Sequence, residues 1–141
     1  MDRNATILVV EDDAPTRSAL CEYLGLAGYR VRTAASGAEG LAALQRGGDV
    51  DAVLLDLVMP DMDGFELLRR HRAADGRAAV VVLSALSEAE NVVKAMKFGA
   101  ADYLPKPFDP SELDLVLRRA LESRAPGRGP RLPRDADPDG P

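Results

Sequence analysis

A chain of 141 residues, 46% hydrophobic and 29% charged, is long enough for one globular domain and too short for two of ordinary size. Its formal net charge of −5 gives no reason to expect nucleic-acid binding by this segment. No run of about 18 apolar residues predicts a membrane span. The single cysteine, Cys21, excludes an internal disulfide and is typical of a reducing compartment, so we expect a cytoplasmic protein.

Five short segments predict β-strands. Residues 6–10 (TILVV), 52–56 (AVLLD) and 79–83 (AVVVL) are almost continuously apolar, which is typical of strands buried on both faces of a parallel sheet. Residues 29–34 (YRVRTA) alternate polar and apolar side chains, as an edge strand does. Residues 101–104 (ADYL) complete the set.

Helix start signals lie between these segments. Four pairs have the spacing of a capping box: Ser36 with Glu39, Asp63 with Glu66, Ser87 with Glu90, and Asp109 with Glu112. Asp13 is predicted to cap the first helix, with Pro15 in its opening turn. Strand and helix therefore alternate five times, which predicts an α/β fold with an open, mostly parallel sheet covered by helices on both faces.

The composition changes at Ser123. Residues 123–141 contain five prolines and three glycines and almost no large apolar side chain. We expect a folded domain over residues 1–122 and a disordered tail or linker over residues 123–141.

Several polar residues follow the predicted strands at their carboxyl ends, where ligands bind in sheets of this kind. If the first and third strands are neighbours, Glu11, Asp12 and Asp56 converge. Carboxylates this close cannot all stay ionised unaided. Either they take up protons or they bind a hard divalent cation, for which Mg²⁺ is suited by its preference for oxygen ligands.

Ser84 and Lys106 end the fourth and fifth strands. Acids, a hydroxyl, an ammonium group and a metal ion together form a cradle for a phosphoryl group, whose transfer requires positioning and charge neutralisation. Asp56 is the strongest candidate for a nucleophile that forms an acyl phosphate, because it ends a strand and a loop gives access to it.

Four segments, ILVVEDD, LLDLVMPDMDGFELL, VVLSA and GAADYLPKPF, occur in this order. Together they resemble a bacterial two-component response-regulator receiver domain over about residues 5–122. The resemblance implies a (βα)5, flavodoxin-like, three-layer sandwich with strand order 2-1-3-4-5. It also implies a phosphoacceptor switch rather than an enzyme with a turnover substrate.

The resemblance assigns roles to individual residues. Asp56 accepts a phosphoryl group from a sensor histidine kinase or a histidine phosphotransfer protein. Mg²⁺, or Mn²⁺ in its place, is held by Asp12 directly, by Glu11 through water, by Asp56 and by the Val58 carbonyl. The remaining contacts to the phosphoryl oxygens come from Ser84, Lys106 and the backbone N–H groups of Leu57 and Ala85.

Two further features follow from the resemblance. Tyr103 is implied to be an aromatic switch that turns inward when Ser84 moves towards the phosphate. The bond between Lys106 and Pro107 is usually cis in this family, which aims the lysine back into the site.

The sequence departs from the family pattern at two positions that tune hydrolysis. Val58 and Leu86 stand where related receivers carry polar side chains that help to orient the attacking water. We therefore expect a slowly hydrolysing phosphoprotein. A third departure is Glu11 in place of the commoner Asp, whose longer side chain favours metal binding through water.

The face that transmits the phosphorylation signal to other proteins is expected to include the fourth helix, the fifth strand and the fifth helix. This face would meet a downstream partner or output domain, or form a homodimer through charge pairs drawn from Lys94, Lys97, Asp102, Arg118 and Arg119. The sequence is equally compatible with a stand-alone receiver and with the receiver part of a longer transcriptional regulator. Two other functions are disfavoured. An enzyme with an aspartyl-phosphate intermediate would carry an acid where Val58 stands. A flavin-binding redox domain would lack the acids that follow the first strand.

Overall fold

Five strands and five helices alternate in a computed structural model that describes residues 5–46, 49–74, 76–86 and 88–128. The strands are β1 (Thr6–Val10), β2 (Arg30–Ala34), β3 (Ala52–Asp56), β4 (Ala79–Ser84) and β5 (Asp102–Pro105). The helices are α1 (Ala14–Leu26), α2 (Gly37–Gln45), α3 (Gly64–Ala73), α4 (Ala89–Lys97) and α5 (Pro110–Arg128).

The strands form one parallel sheet in the order β2-β1-β3-β4-β5, which confirms the predicted topology. The apolar strands β1, β3 and β4 occupy the centre, and the alternating strand β2 lies at an edge with partly exposed side chains. Since β1 and β3 are hydrogen-bonded neighbours, the residues that follow them meet at the same end of the sheet.

Each face of the sheet supports its own hydrophobic cluster, because side chains alternate along a strand. Ile7 and Leu54 face α1 and α5, where they join Leu24 and Leu117. On the opposite face of the same strands, Leu8 and Leu55 join side chains of α2, α3 and α4, which include Ala43, Leu67 and Ala95. Two helices therefore cover one face and three cover the other, which gives the expected three layers.

The helix starts agree with the predicted caps in most cases. Asp13 accepts a hydrogen bond from the backbone N–H of Thr16 at the start of α1, and Ser36 accepts one from Glu39 at the start of α2. At α3, Asp63 accepts from the N–H of Phe65. At α5 the N–H of Asp109 donates to the carboxylate of Glu112. These bonds satisfy amide groups that the first turn of a helix leaves without an intrahelical partner.

Two helix boundaries differ from the sequence-based expectation. Helix α4 begins at Ala89 with Glu88 as its N-cap residue and without a side-chain cap hydrogen bond; the predicted cap, Ser87, lies outside the described residues. The backbone of α5 continues to Arg128, so residues 123–128 are helical and the expected boundary at residue 122 falls inside the helix. The rest of the expected tail, 129–141, also lies outside the described residues.

Across the described parts of the chain, we find no helix with the length and apolar character needed to span a bilayer.

Candidate functional site

Three carboxylates meet where β1 and β3 end. The register pairs Val10 with Leu55, so the next residues along the two strands, Glu11 and Asp56, lie side by side. Asp12 follows at the start of the loop to α1. One carboxylate oxygen from each of Glu11, Asp12 and Asp56 lies within 4.8 Å of the others, so the structure brings together the cluster that the sequence predicted.

Asp56, the last residue of β3, is 9% exposed. Its Oδ1 accepts a hydrogen bond of 3.1 Å from the backbone N–H of Val58. Its Oδ2 lies 3.3 Å from the Nζ atom of Lys106. The two carboxylate oxygens are therefore fixed in direction by one backbone donor and one cation.

Glu11 is almost fully buried, at 2% exposure. Its Oε1 accepts a hydrogen bond of 3.0 Å from Lys106 Nζ, and its Oε2 accepts one of 3.1 Å from the N–H of Asp13. Burial raises the pKa of Glu11, and the hydrogen bonds from Lys106 and Asp13 offset only part of this effect. Both oxygens of Glu11 already have partners within the protein.

Lys106 connects the two buried acids from the end of β5. Its backbone N–H donates to the carbonyl of Ser84 at 3.0 Å, which joins the ends of β4 and β5. The peptide bond between Lys106 and Pro107 is cis, as expected. Burial opposes the positive charge of Lys106, but the hydrogen bond to Glu11 and the attraction of Asp56 and Glu11 outweigh burial, and the pKa of the lysine is raised.

Asp12 is the exposed member of the cluster. Among the described residues, no donor forms a hydrogen bond with its carboxylate. Its backbone is held by Arg17, whose Nη1 donates to the carbonyl oxygens of Glu11 at 2.8 Å and of Asp12 at 3.4 Å. The sequence analysis missed this role of Arg17, for which the only sequence signal is an arginine one turn into the helix that follows the acids.

Ser84 and Tyr103 lie beside the cluster and share a partner. Ser84 is fully buried, and its Oγ accepts a hydrogen bond of 3.1 Å from the N–H of Leu86. The hydroxyl of Tyr103 donates to the carbonyl of the same Leu86. The ring of Tyr103 is already turned inward, at 9% exposure, and burial raises the pKa of its hydroxyl.

The remaining predicted positions line the edge of the site. Leu57 and Ala85 directly follow β3 and β4. Val58 is 57% exposed, and Leu86 is half-buried. Neither Val58 nor Leu86 offers a polar side-chain atom near Asp56.

Gly64, the first residue of α3, is pressed against the backbone next to Asp56. A Cβ atom at this position would lie 2.6 Å from the Cα of Leu57 and 2.9 Å from the carbonyl oxygen of Asp56. Backbone atoms cannot rotate away as a side chain can. We therefore expect Gly64→Ala to lower the free energy of unfolding by about 1–3 kcal/mol, because the added methyl group forces the loop to shift.

Urea denaturation of Gly64→Ala and Gly25→Ala checks this expectation. A Cβ at Gly25, in α1, meets nothing within 4 Å, so Gly25→Ala should be neutral or stabilising by up to about 1 kcal/mol. Similar stabilities for the two variants would contradict the close approach at Gly64.

The donor set fits a hard divalent cation. Glu11, Asp12 and Asp56 supply oxygen ligands, and Lys106 neutralises only part of their charge. The carboxylate of Asp12 is exposed and accepts no hydrogen bond from the described residues, so it is accessible to an ion. The same geometry places Lys106 beside the carboxylate of Asp56, with Nζ 3.3 Å from Oδ2.

The model of the response regulator receiver domain family matches residues 7–118. The chain belongs to this family. It is therefore a receiver domain of a two-component system, with the fold of that family, and the family generally binds Mg²⁺.

The curated relatives are longer proteins. The receiver chain is 44% identical over 136 residues to the DNA-binding transcriptional regulator NtrC of Rhizobium meliloti (strain 1021), covering 96% of this chain and 28% of that protein. It is 39% identical over 127 residues to the response regulator MprA of Mycobacterium sp. (strain KMS), covering 90% of this chain and 55% of that protein. The chain thus spans about a quarter to a half of the length of these relatives.

Solved receiver structures have the same fold. A CheY-like receiver domain protein from Methanospirillum hungatei JF-1 superposes with a TM-score of 0.80 at 29% identity, covering 86% of this chain and 97% of that one. NtrX from Brucella abortus, solved in complex with ADP, gives a TM-score of 0.79 at 33% identity, covering 89% of this chain and 28% of that one.

Proposed function

We propose that Asp56 is the phosphoacceptor of a two-component phosphorelay and that this receiver domain is a switch without a turnover substrate. One observation carries the proposal: the Asp56 carboxylate lies between the N–H of Val58 and the ammonium group of Lys106, beside the acids Glu11 and Asp12. The phosphoryl donor is a phosphohistidine on a sensor histidine kinase or a histidine phosphotransfer protein.

Transfer requires one bond to form and one to break. A carboxylate oxygen of Asp56 bonds to phosphorus as the P–N bond of the phosphohistidine breaks, and the bonding electron pair stays on the imidazole nitrogen. Lys106 neutralises negative charge on the phosphoryl oxygens. The hydroxyl of Ser84 and the backbone N–H groups of Leu57 and Ala85 donate hydrogen bonds to the same oxygens.

The acidic cluster is proposed to hold Mg²⁺, with Mn²⁺ as a substitute. Asp12, Asp56 and the carbonyl of Val58 would bind the ion directly, and Glu11, the most buried of the three acids, would bind it through water. When bound, the ion supplies positive charge that offsets the repulsion between a phosphoryl group and the carboxylates.

The switch is proposed to run through Ser84 and Leu86. Ser84 accepts a hydrogen bond from the N–H of Leu86, so a movement of its hydroxyl towards a phosphoryl oxygen would pull on the segment that contains Leu86. Because the hydroxyl of Tyr103 is hydrogen-bonded to the carbonyl of Leu86, a shift of the backbone at Leu86 would also move the aromatic ring. The ring is already inward here, so the change at Tyr103 would be one of partner and position rather than of burial.

The readout face is proposed to comprise α4, β5 and α5. Of the charges expected to pair across a dimer, Arg119 lies 3.6 Å from Asp102 within one chain, and Arg118 lies 3.5 Å from Asp114, which was not among them. Lys94 lies over the ring of Phe65. A homodimer through this face would therefore have to exchange some of these contacts for contacts with the second copy.

The lengths of the relatives favour a receiver that is part of a longer regulator. NtrC and MprA extend well beyond the matched segment. We therefore propose, beside a stand-alone switch in the cytoplasm, a receiver whose DNA-binding output domain lies elsewhere in a longer regulator. This segment itself is proposed to bind neither nucleic acid nor membrane.

The acyl phosphate is expected to be long-lived, because Val58 and Leu86 offer no polar atom to orient an attacking water molecule. In ³²P decay measurements with Mg²⁺, replacing Val58 by asparagine should speed the loss of label by up to roughly 10²-fold. Val93→Asn, a change at an exposed valine of α4, serves as the matched control. Decay of the unaltered protein as fast as that of Val58→Asn would contradict the expectation.

Intact-mass measurement tests the proposed function. The protein is incubated with acetyl phosphate and Mg²⁺, and Asp56→Ala is treated in parallel. We expect the mass of one phosphoryl group to be added to the wild type and none to the variant. An unchanged wild type, or equal gains in both proteins, would refute the proposal.

A further inference from the structure

Asp61 connects the loop that follows β3 to a different helix. Its Oδ1 accepts a hydrogen bond of 3.0 Å from the N–H of Gly37, and its Oδ2 accepts one of 2.9 Å from the N–H of Ala38. Both donors belong to the first turn of α2. A single carboxylate from the β3–α3 loop therefore caps a helix that begins more than twenty residues earlier.

The contact is stronger than an ordinary surface hydrogen bond. A carboxylate at a helix N-terminus receives charge-assisted bonds from amides that have no intrahelical partner. These bonds lower the pKa of Asp61. The neighbouring Met62 closes the approach, since a Cβ added to Gly37 would lie 2.7 Å from the Cβ of Met62. The loop is thus docked on α2 by the two hydrogen bonds that the Asp61 carboxylate accepts and by the close packing of Met62 against Gly37.

The docked loop is the one that shapes the Asp56 site. Val58, whose N–H donates to Asp56, lies three residues before Asp61. Between them, the side chain of Met59 is buried and Pro60 restricts the backbone. At the other end of the loop, the N–H of Gly64 donates to the carbonyl of Leu57 at 3.0 Å. Asp61 supplies the anchor on the side that faces α2.

We propose that Asp61 is a positioning residue: by docking the β3–α3 loop on the N-terminus of α2, it holds Val58 where its backbone can serve Asp56 and a bound cation. This inference rests on the proposed function of the acidic cluster. It adds a residue outside that cluster and makes α2 part of the support of the site.

A consequence of this coupling is reciprocity. If docking of the loop strengthens Mg²⁺ binding, Mg²⁺ must strengthen docking by the same factor. Mg²⁺ should therefore slow hydrogen exchange at the amides of Gly37 and Ala38, although both belong to a helix that supplies no ligand. Asp61→Asn removes the second acceptor oxygen and the charge, and should abolish this slowing.

The matched control is Ser36→Ala. It removes the bond of 3.1 Å that the Ser36 hydroxyl accepts from the N–H of Glu39, at the same end of α2, and leaves the β3–α3 loop untouched. Both variants should melt at a lower temperature than the wild type. Only Asp61→Asn should bind Mg²⁺ more weakly, by roughly tenfold, as is usual when a group that orients a metal ligand is lost.

The experiment is an NMR titration of the three proteins with MgCl₂, with exchange at Gly37 and Ala38 measured before and after addition. The inference is supported if Asp61→Asn binds Mg²⁺ more weakly than the wild type and Ser36→Ala does not. Mg²⁺ should also slow exchange of the two amides in the wild type, with or without Ser36→Ala, and not in Asp61→Asn. Equal affinities of wild type and Asp61→Asn would overturn it and leave the proposed function intact. A wild type that binds no Mg²⁺ would overturn both.

Discussion

Replacing Lys106 by methionine is expected to slow phosphoryl uptake by Asp56 by roughly 10²–10³-fold, the usual cost of removing one preorganised group that stabilises developing charge. Lys106 Nζ lies 3.0 Å from Glu11 and 3.3 Å from Asp56, so it offsets the acids before a phosphoryl group arrives. Methionine keeps most of the length and apolar character of the lysine stem and removes the charge.

Initial rates of mass gain with acetyl phosphate and Mg²⁺ measure this effect. Lys97→Met is the matched control, because Lys97 is an exposed lysine in the last turn of α4, outside the site. Equal rates for Lys106→Met and Lys97→Met would contradict the role given to Lys106.

The same substitution should change how stability depends on pH. The pKa of Lys106 is raised in the folded state, so its contribution is present at neutral pH and is lost only as the pH rises through the folded-state pKa of the lysine. The pKa of Glu11 is also raised, and without the lysine bond it should rise further. Protonating Glu11 then relieves the unpaired charge, so urea denaturation should show a smaller loss of stability at acid than at neutral pH.

Asp12→Asn is expected to weaken Mg²⁺ binding more than Glu11→Gln does. The Asp12 carboxylate is exposed and has no hydrogen-bond partner among the described residues, whereas both Glu11 oxygens are engaged by Lys106 and by the N–H of Asp13. We therefore expect Glu11 to bind the ion through water, and Glu11→Gln should lower the affinity for Mg²⁺ by on the order of tenfold.

Titration of the two variants with MgCl₂, followed by NMR, gives the ranking. Asp13→Asn is a useful control, because Asp13 caps α1 through the N–H of Thr16 and lies beside the cluster in sequence. Equal losses in Asp12→Asn and Glu11→Gln would show that both acids bind the ion in the same way, which would contradict the ranking.

The sheet and the location of the site could be predicted because they depend on local patterns. The apolar runs that became β1, β3 and β4 have no polar face, so they had to lie in the centre of a covered parallel sheet. Once they are neighbours, the acids after β1 and at the end of β3 must meet. Capping residues such as Ser36 and Asp63 act on amides two or three residues away, which a sequence displays directly.

The features that the sequence did not yield depend on contacts between distant segments. Asp61 is exposed and its carboxylate caps α2, but nothing local to residue 61 indicates Gly37 as a partner. Whether the ring of Tyr103 points inward depends on the carbonyl of Leu86, seventeen residues away. The expected boundary at residue 122 falls inside α5, because helical backbone continues through residues whose composition is typical of a linker.

The identity of the phosphorylated residue tests the central claim most directly. Borohydride reduces an acyl phosphate to an alcohol, so an aspartyl phosphate becomes homoserine at the modified position. After treatment with acetyl phosphate and Mg²⁺, we predict homoserine at position 56 in peptide mass spectra, and none when Mg²⁺ is withheld. Homoserine at position 12, or a phosphoryl group on Ser84 that resists reduction, would contradict the claim that these strand ends make Asp56 the phosphoacceptor.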